Sequence, residues 1–417
     1  MAEESCTKHI QGSFSRAVYT DFRKEESFML IIHAHLFPMD QDPIPDGFLA
    51  WENGVITSIG PMKLCPPMLE NTIDLKGASL MPGLIDAHCH IGICGDGGGI
   101  ENEDINEETD PVTPHLRAID AVNPFDRCFE EAVAAGVTTV LTGPGSANPI
   151  AGEFCALKTW GETIEDRIIA APVGMKFSLG ENPKMTYSGK NQTPITRMAT
   201  AALIREQLMK ARRYQKDKAR AAEDDELDEP ELDLKCEALI PALNRKIKAF
   251  FHAHRADDIL TAIRISEEFG LDPVIVHGTE GYRIASTLSK KKIPVITGPI
   301  MGDRSKPELL YHTTANTALL RQHGVPTAIC TDHPETPIQY LALTAALCQK
   351  AGLSREDALL SLTRWAAELS GVSSRVGTLT PGKDADLVIF QGDPFDIMNS
   401  PQCVLINGEV RFGRLNV

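Results

Sequence analysis

The segment S-L-M-P-G-L-I-D-A-H-C-H-I-G, residues 79–92, decides the predicted fold. It reads as a short buried strand that leads into a loop, with His88 and His90 at the junction. Because alternate side chains of a strand point to the same face, both imidazoles can face one point while Cys89 turns away. Two nitrogen donors that converge at a strand end predict part of a transition-metal site.

The overall composition is that of an ordinary globular protein. The chain has 417 residues, of which 42% are apolar and 24% are charged, enough for one large domain and a small one. Its 57 acidic and 41 basic residues give a formal net charge of −16. This charge argues against a nucleic acid or an anionic membrane as a partner, because phosphate binding is driven by basic surface.

The sequence also suggests where the protein works. It contains no run of about 18 apolar residues, and its N-terminus has no basic start followed by an apolar run. The ten cysteines form no C-x-x-C pair, which in a large chain predicts reduced thiols and a cytoplasmic protein. Residues 1–28 are polar and lack periodicity, so we predict a disordered extension there.

Both ends of the chain read as short strands joined by turns. Residues 29–80 and 376–417 each contain an Asn-Gly hairpin signal, at positions 53–54 and 407–408. Neither end has enough strands to bury a core alone. Together they predict a small composite β-sandwich domain built from both termini.

Strand and helix patterns alternate between these ends, over residues 81–375. This alternation predicts an α/β fold, a (β/α)8 TIM-like barrel with a parallel sheet. The eight candidate strands lie at 81–86, 137–141, 153–159, 171–177, 249–252, 273–277, 293–297 and 326–332. Residues 94–124 and 195–247 are interpreted as insertions into this barrel.

In such a barrel, functional side chains lie at the carboxyl ends of the strands. Five predicted strands end in residues suited to a metal site, namely His88 and His90, Lys176, His252, His277 and Asp332. Neutral imidazole nitrogens and carboxylate oxygens are suitable ligands for Zn2+ and related ions. The joint arrangement therefore predicts a metal site rather than unrelated structural histidines.

The order H-x-H, Lys, His, His, Asp resembles that of the binuclear branch of the amidohydrolase superfamily. Over residues 29–412, the chain looks closest to the imidazolonepropionase-like amidohydrolases. The resemblance implies two divalent metal ions, the first bound by His88, His90 and Asp332 and the second by His252 and His277. Lys176 would bridge them as a carbamate formed with CO2. Zn2+ is the implied metal, with Fe2+ or Mn2+ as alternatives.

The same resemblance implies a function. It implies hydrolysis of an amide, cyclic amide or dipeptide C–N bond in a small-molecule substrate by metal-activated hydroxide, with Asp332 as general acid and base. A deaminase of the superfamily is the alternative, although such enzymes usually carry Glu where this chain has Arg255. A catalytically inactive scaffold is disfavoured because all six ligand positions are filled. The oligomeric state stays open, with a homo-oligomer among the alternatives.

Several assignments have alternatives at this stage. Glu181 is the second candidate for the ligand from strand four, but it follows Gly180 and is expected in the loop. The candidate substrate-binding residues near the motifs are His254, Arg255, Glu280, Arg304 and His333. For each of them, a supporting hydrogen bond or a salt bridge on the barrel rim is the competing interpretation.

Overall fold

The protein structure, a computed structural model, describes residues 28–67, 71–95 and 99–415. The predicted disordered extension therefore lies outside the described residues, except for Phe28. Two eight-stranded sheets form the framework. The strands are β1 (Met29–Leu36), β2 (Ile44–Glu52), β3 (Val55–Pro61), β4 (Thr72–Asp74), β5 (Ser79–Pro82), β6 (Leu84–Cys89), β7 (Val137–Thr142), β8 (Ile150–Lys158), β9 (Ile168–Ser178), β10 (Lys248–Ala253), β11 (Pro273–His277), β12 (Val295–Thr297), β13 (Thr327–Ile329), β14 (Leu387–Phe390), β15 (Pro401–Ile406) and β16 (Glu409–Gly413).

The helices lie almost entirely between the strands of the second sheet and after its last strand. They are α1 (Arg127–Ala134), α2 (Ile164–Arg167), α3 (Glu181–Ser188), α4 (Arg197–Glu223), α5 (Leu234–Leu243), α6 (Ala256–Phe269), α7 (Ala285–Lys291), α8 (Asn316–Gln322), α9 (Leu341–Lys350), α10 (Arg355–Ser361) and α11 (Arg364–Leu369). The helical insertion expected at 195–247 is present as α4 and α5. No helix in the described part of the chain is long and apolar enough to cross a lipid bilayer.

The first sheet contains strands from both ends of the chain. Its hydrogen-bonded order is β16-β15-β14-β5-β1-β2-β3, with β4 beside β1. Apolar side chains from both ends, among them Trp51, Leu80, Leu387 and Leu405, share one core. These strands form a single connected sheet, so a sandwich of two sheets is not confirmed. The division of the chain into domains remains a prediction.

The chain passes from the first sheet to the second at Gly83. The strand predicted at 81–86 is in fact two strands, because β5 belongs to the first sheet and β6 to the second. A Cβ atom at position 83 would lie 1.9 Å from Thr138 Oγ1, which is too close for any side chain to be accommodated. Glycine therefore allows the close approach at which the two sheets join.

The second sheet is a nearly closed barrel. Its eight strands follow chain order from β6 to β13, and all eight predicted strands are present. The first and last strands meet at their carboxyl ends, where Asp332 N–H donates to His88 O (3.1 Å) and His90 N–H donates to His333 O (2.9 Å). The barrel thus brings the two ends of the predicted site together through its backbone.

The prediction of an all-parallel sheet is wrong for one strand. β8 runs antiparallel to both β7 and β9. Only residues 143–149 separate β7 from β8, and a parallel crossover needs about a dozen residues. The short connection therefore makes β8 turn back beside β7.

Candidate metal centre

The first group of ligand-type side chains lies where β6 meets the segment after β13. The Nε2 atoms of His88 and His90 each lie 3.4 Å from Asp332 Oδ1. The Nδ1 atom of His90 lies 2.7 Å from Gly143 O, so this nitrogen donates to the backbone and Nε2 faces the aspartate. Cys89 turns away and donates to Leu141 O, as the strand alternation predicts.

A buried carboxylate, Asp86, fixes this corner of the barrel. It accepts hydrogen bonds from the backbone N–H groups of His88 (3.3 Å) and Thr331 (3.2 Å) and from the Thr331 hydroxyl. Burial raises the pKa of Asp86 to about 7. Asp86 thereby connects the first and last strands directly beneath the candidate ligands, a role that the sequence analysis did not assign.

The second group contains three imidazoles from β10 and β11. The ring centroids of His252, His254 and His277 are 4.5–4.7 Å apart. His277 Nδ1 lies 2.7 Å from Gly298 O, while the buried His252 Nδ1 has no hydrogen-bond partner in the described chain. The sequence predicted His252 and His277 here. It assigned His254 to substrate binding, although His254 repeats the H-x-H spacing of the first group.

The backbone is strained at two of the site residues. His277 has φ 73° and Asp332 has φ 56°, both in the left-handed region that favours glycine. For other residues this conformation costs about 1–3 kcal/mol, and it persists where the surrounding structure enforces it. Such strain is frequent at functional sites, and here it occurs where the chain leaves a barrel strand.

The protonation states suit metal ligands. Burial, with the nearby cationic groups, lowers the pKa of His88, His252 and His254 well below the usual value, and burial lowers the pKa of His277 to about 4. Burial alone would raise the pKa of Asp332, but nearby His277, His90 and Lys176 hold it below its ordinary value. Neutral imidazoles and an ionised carboxylate are the forms that bind divalent metal ions.

Lys176 lies beside the first group, on β9. Its side chain is buried, and Nζ lies 3.2 Å from His88 Nε2 and 5.4 Å from the centroid of the Phe154 ring. Burial lowers the pKa of Lys176 to about 8 against the opposing effect of the Asp332 charge, and no carboxylate oxygen lies within 4.0 Å of Nζ in the described residues. Glu181 is the first residue of α3 and belongs to neither ligand group within the described ranges.

Each group presents three ligand atoms that lie within 4.8 Å of one another. Together with the unpartnered His252 Nδ1, these neutral imidazoles and the carboxylate fit divalent metal ions of the Zn2+ type. A profile of the Amidohydrolase family matches residues 79–411. The chain belongs to the amidohydrolase family. The resemblance stated from the sequence is confirmed at this level, and the protein is a hydrolase.

Relatives of this amidohydrolase agree with the assignment. An amidohydrolase of known structure from Thermotoga maritima MSB8 is 43% identical, with a TM-score of 0.88 over 93% of this chain and 100% of that chain. An imidazolonepropionase from Stenotrophomonas maltophilia (strain R551-3) is 26% identical over 400 residues, 88% of this chain and 92% of its own length. Amidohydrolase tasK from Hapsidospora irregularis is 29% identical over 87% of this chain, but the match spans only 39% of tasK.

The other predicted substrate-binding residues lie around this centre with partners of their own. Glu280 accepts a hydrogen bond from Ala256 N–H at the start of α6 (3.0 Å). Arg255 pairs with Asp257 through two hydrogen bonds, at 3.0 and 2.9 Å. Exposed Arg304 donates to His312 O (3.3 Å), and buried His333 accepts from Ile338 N–H (3.3 Å). Their roles in substrate binding remain predictions.

The structure also brings three residues to the centre that the sequence analysis missed. Glu308 is buried, and its Oε1 lies 3.6 Å from His254 Nε2 and 2.8 Å from Lys306 Nζ. Asn182 Nδ2 lies 3.4 Å from His252 Nε2. Their position after strands four and seven of the barrel is a signal that the sequence offers for them, and the predicted Arg304 lies in the same segment as Lys306 and Glu308.

Proposed function

We propose that this amidohydrolase is a metal-dependent enzyme that cleaves an amide, cyclic amide or dipeptide C–N bond in a small molecule. The observation that carries the proposal is the convergence of two ligand groups from the carboxyl ends of β6, β10, β11 and β13. Membership of the amidohydrolase family supports it. The net charge of −16 favours such a substrate over a nucleic acid or a membrane surface, and we propose a cytoplasmic location.

In the proposed site, His88, His90 and Asp332 would hold one divalent ion, most simply Zn2+, with Fe2+ or Mn2+ as alternatives. His252 and His277 would hold a second ion, and His254 belongs to the same group of imidazoles. When bound, such ions lower the pKa of water from about 15.7 to about 7 and polarise a carbonyl oxygen. The geometry of the first group supports two roles for Asp332, as a metal ligand and as the residue that transfers the proton.

Asp332 acts as general base and then as general acid. Its carboxylate accepts the proton of the attacking water as the new C–O bond forms. It then donates this proton to the leaving nitrogen as the C–N bond breaks. The neighbouring His277 and His90, which help to hold the pKa of Asp332 below its ordinary value, keep the carboxylate ionised and ready to accept the proton.

In this proposal, Lys176 would supply the ligand shared by the two ions. Its neutral amine adds CO2, forming an N–C bond and releasing a proton, and the resulting carbamate has two anionic oxygens. The absence of an ion pair at Lys176 in the described residues favours this role over that of a structural lysine. Glu181 is the alternative bridging residue, and the metal contents of Lys176→Ala and Glu181→Gln distinguish the two.

Metal analysis together with a substrate panel tests the proposed function. We expect about two equivalents of divalent metal per chain, loss of turnover on chelation and recovery on adding Zn2+ back. The panel contains N-acyl amino acids, dipeptides and cyclic amides, and at least one class should be hydrolysed. A purified protein that contains metal but hydrolyses no member of the panel, or one that is active without metal, would contradict the proposal.

A further inference from the structure

A polar network lies beside the second ligand group and is built from the segments that follow β7, β9 and β12. Lys306 Nζ donates to Asn182 Oδ1 (2.9 Å), and the Asn182 amide nitrogen lies 2.7 Å from Ser146 Oγ and 3.4 Å from His252 Nε2. The Lys306 ammonium also lies 2.8 Å from Glu308 Oε1. A single side-chain amide therefore separates this ammonium from a candidate metal ligand.

Glu308 holds the network in place. Its side chain is 1% exposed, its Oε2 accepts a hydrogen bond from Glu181 N–H (3.0 Å), and its Oε1 faces both Lys306 and His254. A buried carboxylate with these partners has little freedom to move, so the ammonium that it contacts is fixed as well. Glu308 and Asn182 thus position Lys306 rather than merely neutralise it.

The Lys306 ammonium still has capacity for a ligand. An ammonium group has three N–H donors. In the described residues, one of them is bonded to Asn182 and the ammonium also forms an ion pair with Glu308 Oε1, which leaves at least one donor for a ligand. The Lys306 side chain is 30% exposed, so this donor can be reached by a molecule in the barrel mouth.

The Lys306 ammonium differs from two other lysine ammonium groups of the barrel rim in the acids that surround it. The rim segment 101–110 contains six acidic residues, so an anionic group can bind at the mouth only where a cation is available to it. Two rim-facing lysines are already occupied by these acids, since Lys190 lies 2.8 Å from Glu108 and Lys235 lies 2.6 Å from Asp110. Lys306, by contrast, is paired with Glu308, a buried acid that lies beside His254 of the candidate metal centre.

We propose that Lys306 binds a carboxylate of the substrate and so determines specificity for the acid form. The substrate class is then an N-acyl amino acid or dipeptide whose free carboxylate lies within a few bonds of the scissile amide. This proposal rests on the hydrolytic function proposed above. The competing possibility is that Lys306 only supports Asn182 and Glu308.

Paired substrates separate the two possibilities. Each N-acetyl amino acid is compared with its C-terminal carboxamide, which has the same side chain and scissile bond but no charge. Wild-type protein should prefer the acid, and Lys306→Gln should lower kcat/KM for the acid by about 10- to 100-fold, the worth of one hydrogen bond to a charged group. The loss should appear mainly in KM, and kcat/KM for the carboxamide should change by less than about threefold.

Two variants serve as controls. Lys306→Arg retains the positive charge and should recover most of the preference for the acid. Lys190→Gln removes the same charge from an exposed ion pair on the rim and should leave both substrates unaffected. Equal losses on acid and carboxamide in Lys306→Gln would show a purely supporting role and overturn the proposal.

Equilibrium binding of the same pairs, measured by calorimetry, keeps the test independent of turnover. Tighter binding of the acids that is lost in Lys306→Gln, without hydrolysis, would support Lys306 and contradict the proposed reaction. Hydrolysis of both members of each pair at similar rates by wild-type protein would support the reaction and overturn the assignment of Lys306. Neither binding nor hydrolysis would contradict both proposals.

Discussion

Lys158 and Lys176 are both buried in the barrel and lie on neighbouring strands, but their surroundings differ. Lys158 ends β8, and its ammonium contacts Asp386 and lies 2.8 Å from Asp384 Oδ2. Lys176 lies near the C-terminal end of the neighbouring strand, β9. Its nearest polar partner is an imidazole nitrogen, His88 Nε2, at 3.2 Å. One lysine has two carboxylates as partners, and the other has none in the described part of the chain.

The difference separates a lysine that stabilises the fold from one suited to chemistry. Asp386 also accepts a hydrogen bond from Asn407 N–H (2.9 Å), so the charges around Lys158 connect the barrel to the strands of the C-terminal end. Paired carboxylates favour the ammonium form, whereas burial without such a partner favours the neutral amine. A neutral amine near an ionised Asp332 can react or bind a metal ion. An ammonium group that is held in ion pairs can do neither.

The largest effect expected at the Lys176 end of the barrel comes from Asp332→Asn. The amide preserves the shape of the side chain but cannot transfer the proton. Loss of general acid and base catalysis typically costs about 100- to 10,000-fold in rate. We therefore expect kcat to fall by about 100-fold or more, while the thermal unfolding transition stays cooperative. Retention of more than a tenth of wild-type kcat by the metal-loaded variant would show that Asp332 is not the catalytic acid and base.

The sequence was sufficient to predict most of this fold, because strand periodicity and strand ends are local signals. It failed for the direction of β8, since an alternating pattern reads the same in both directions. The predicted bounds of 137–141 and 153–159 left a gap of eleven residues, close to the dozen or so that a parallel crossover needs. The actual connection, 143–149, is too short, so a boundary error of a few residues concealed the reversal.

The candidate site was predictable to a similar degree. The histidines, Lys176 and Asp332 follow strands, so the barrel rule identified them without coordinates. Glu308 and Lys306 lie in a long loop, where the sequence does not specify which side chains turn inward. Likewise, the pairing of Lys158 with Asp386 spans 228 residues, and no local pattern distinguishes that lysine from Lys176.

Removing the charge of Lys158 tests the structural half of the comparison. Lys158→Met leaves two carboxylates with less compensation in a buried position, and breaking one side of a buried ion pair typically costs about 3–5 kcal/mol. We expect the free energy of unfolding, measured by urea denaturation, to fall by this amount, while the metal content of the folded protein stays at the wild-type value. A variant that is as stable as wild type but has lost metal would reverse the roles of the two lysines.

Lys176→Ala tests the chemical half. We expect fewer than two metal equivalents per chain and a loss of about 10- to 100-fold in activity, the usual effect of perturbing the surroundings of a metal. Because the missing group is an anionic bridge, bicarbonate or a short carboxylic acid should restore part of the activity. Two tightly bound metals in Lys176→Ala, together with their loss in Glu181→Gln, would show that Glu181 is the bridging residue.

The smallest effect is expected for the substitution of Arg255, which serves as a baseline for the variants of both lysines. Its side chain is 42% exposed and pairs with Asp257, and exposed ion pairs contribute about 0–1 kcal/mol. Arg255→Gln should therefore change the free energy of unfolding and kcat/KM only slightly, and Asp257→Asn should have a matching effect because it removes the same pair. A loss of more than about tenfold in kcat/KM for Arg255→Gln, with Asp257→Asn unchanged, would instead mean that Arg255 leaves its partner to bind the substrate. That outcome would restore the role in substrate binding that the sequence predicted, since a tenfold loss corresponds to about 1.4 kcal/mol, more than an exposed pair supplies.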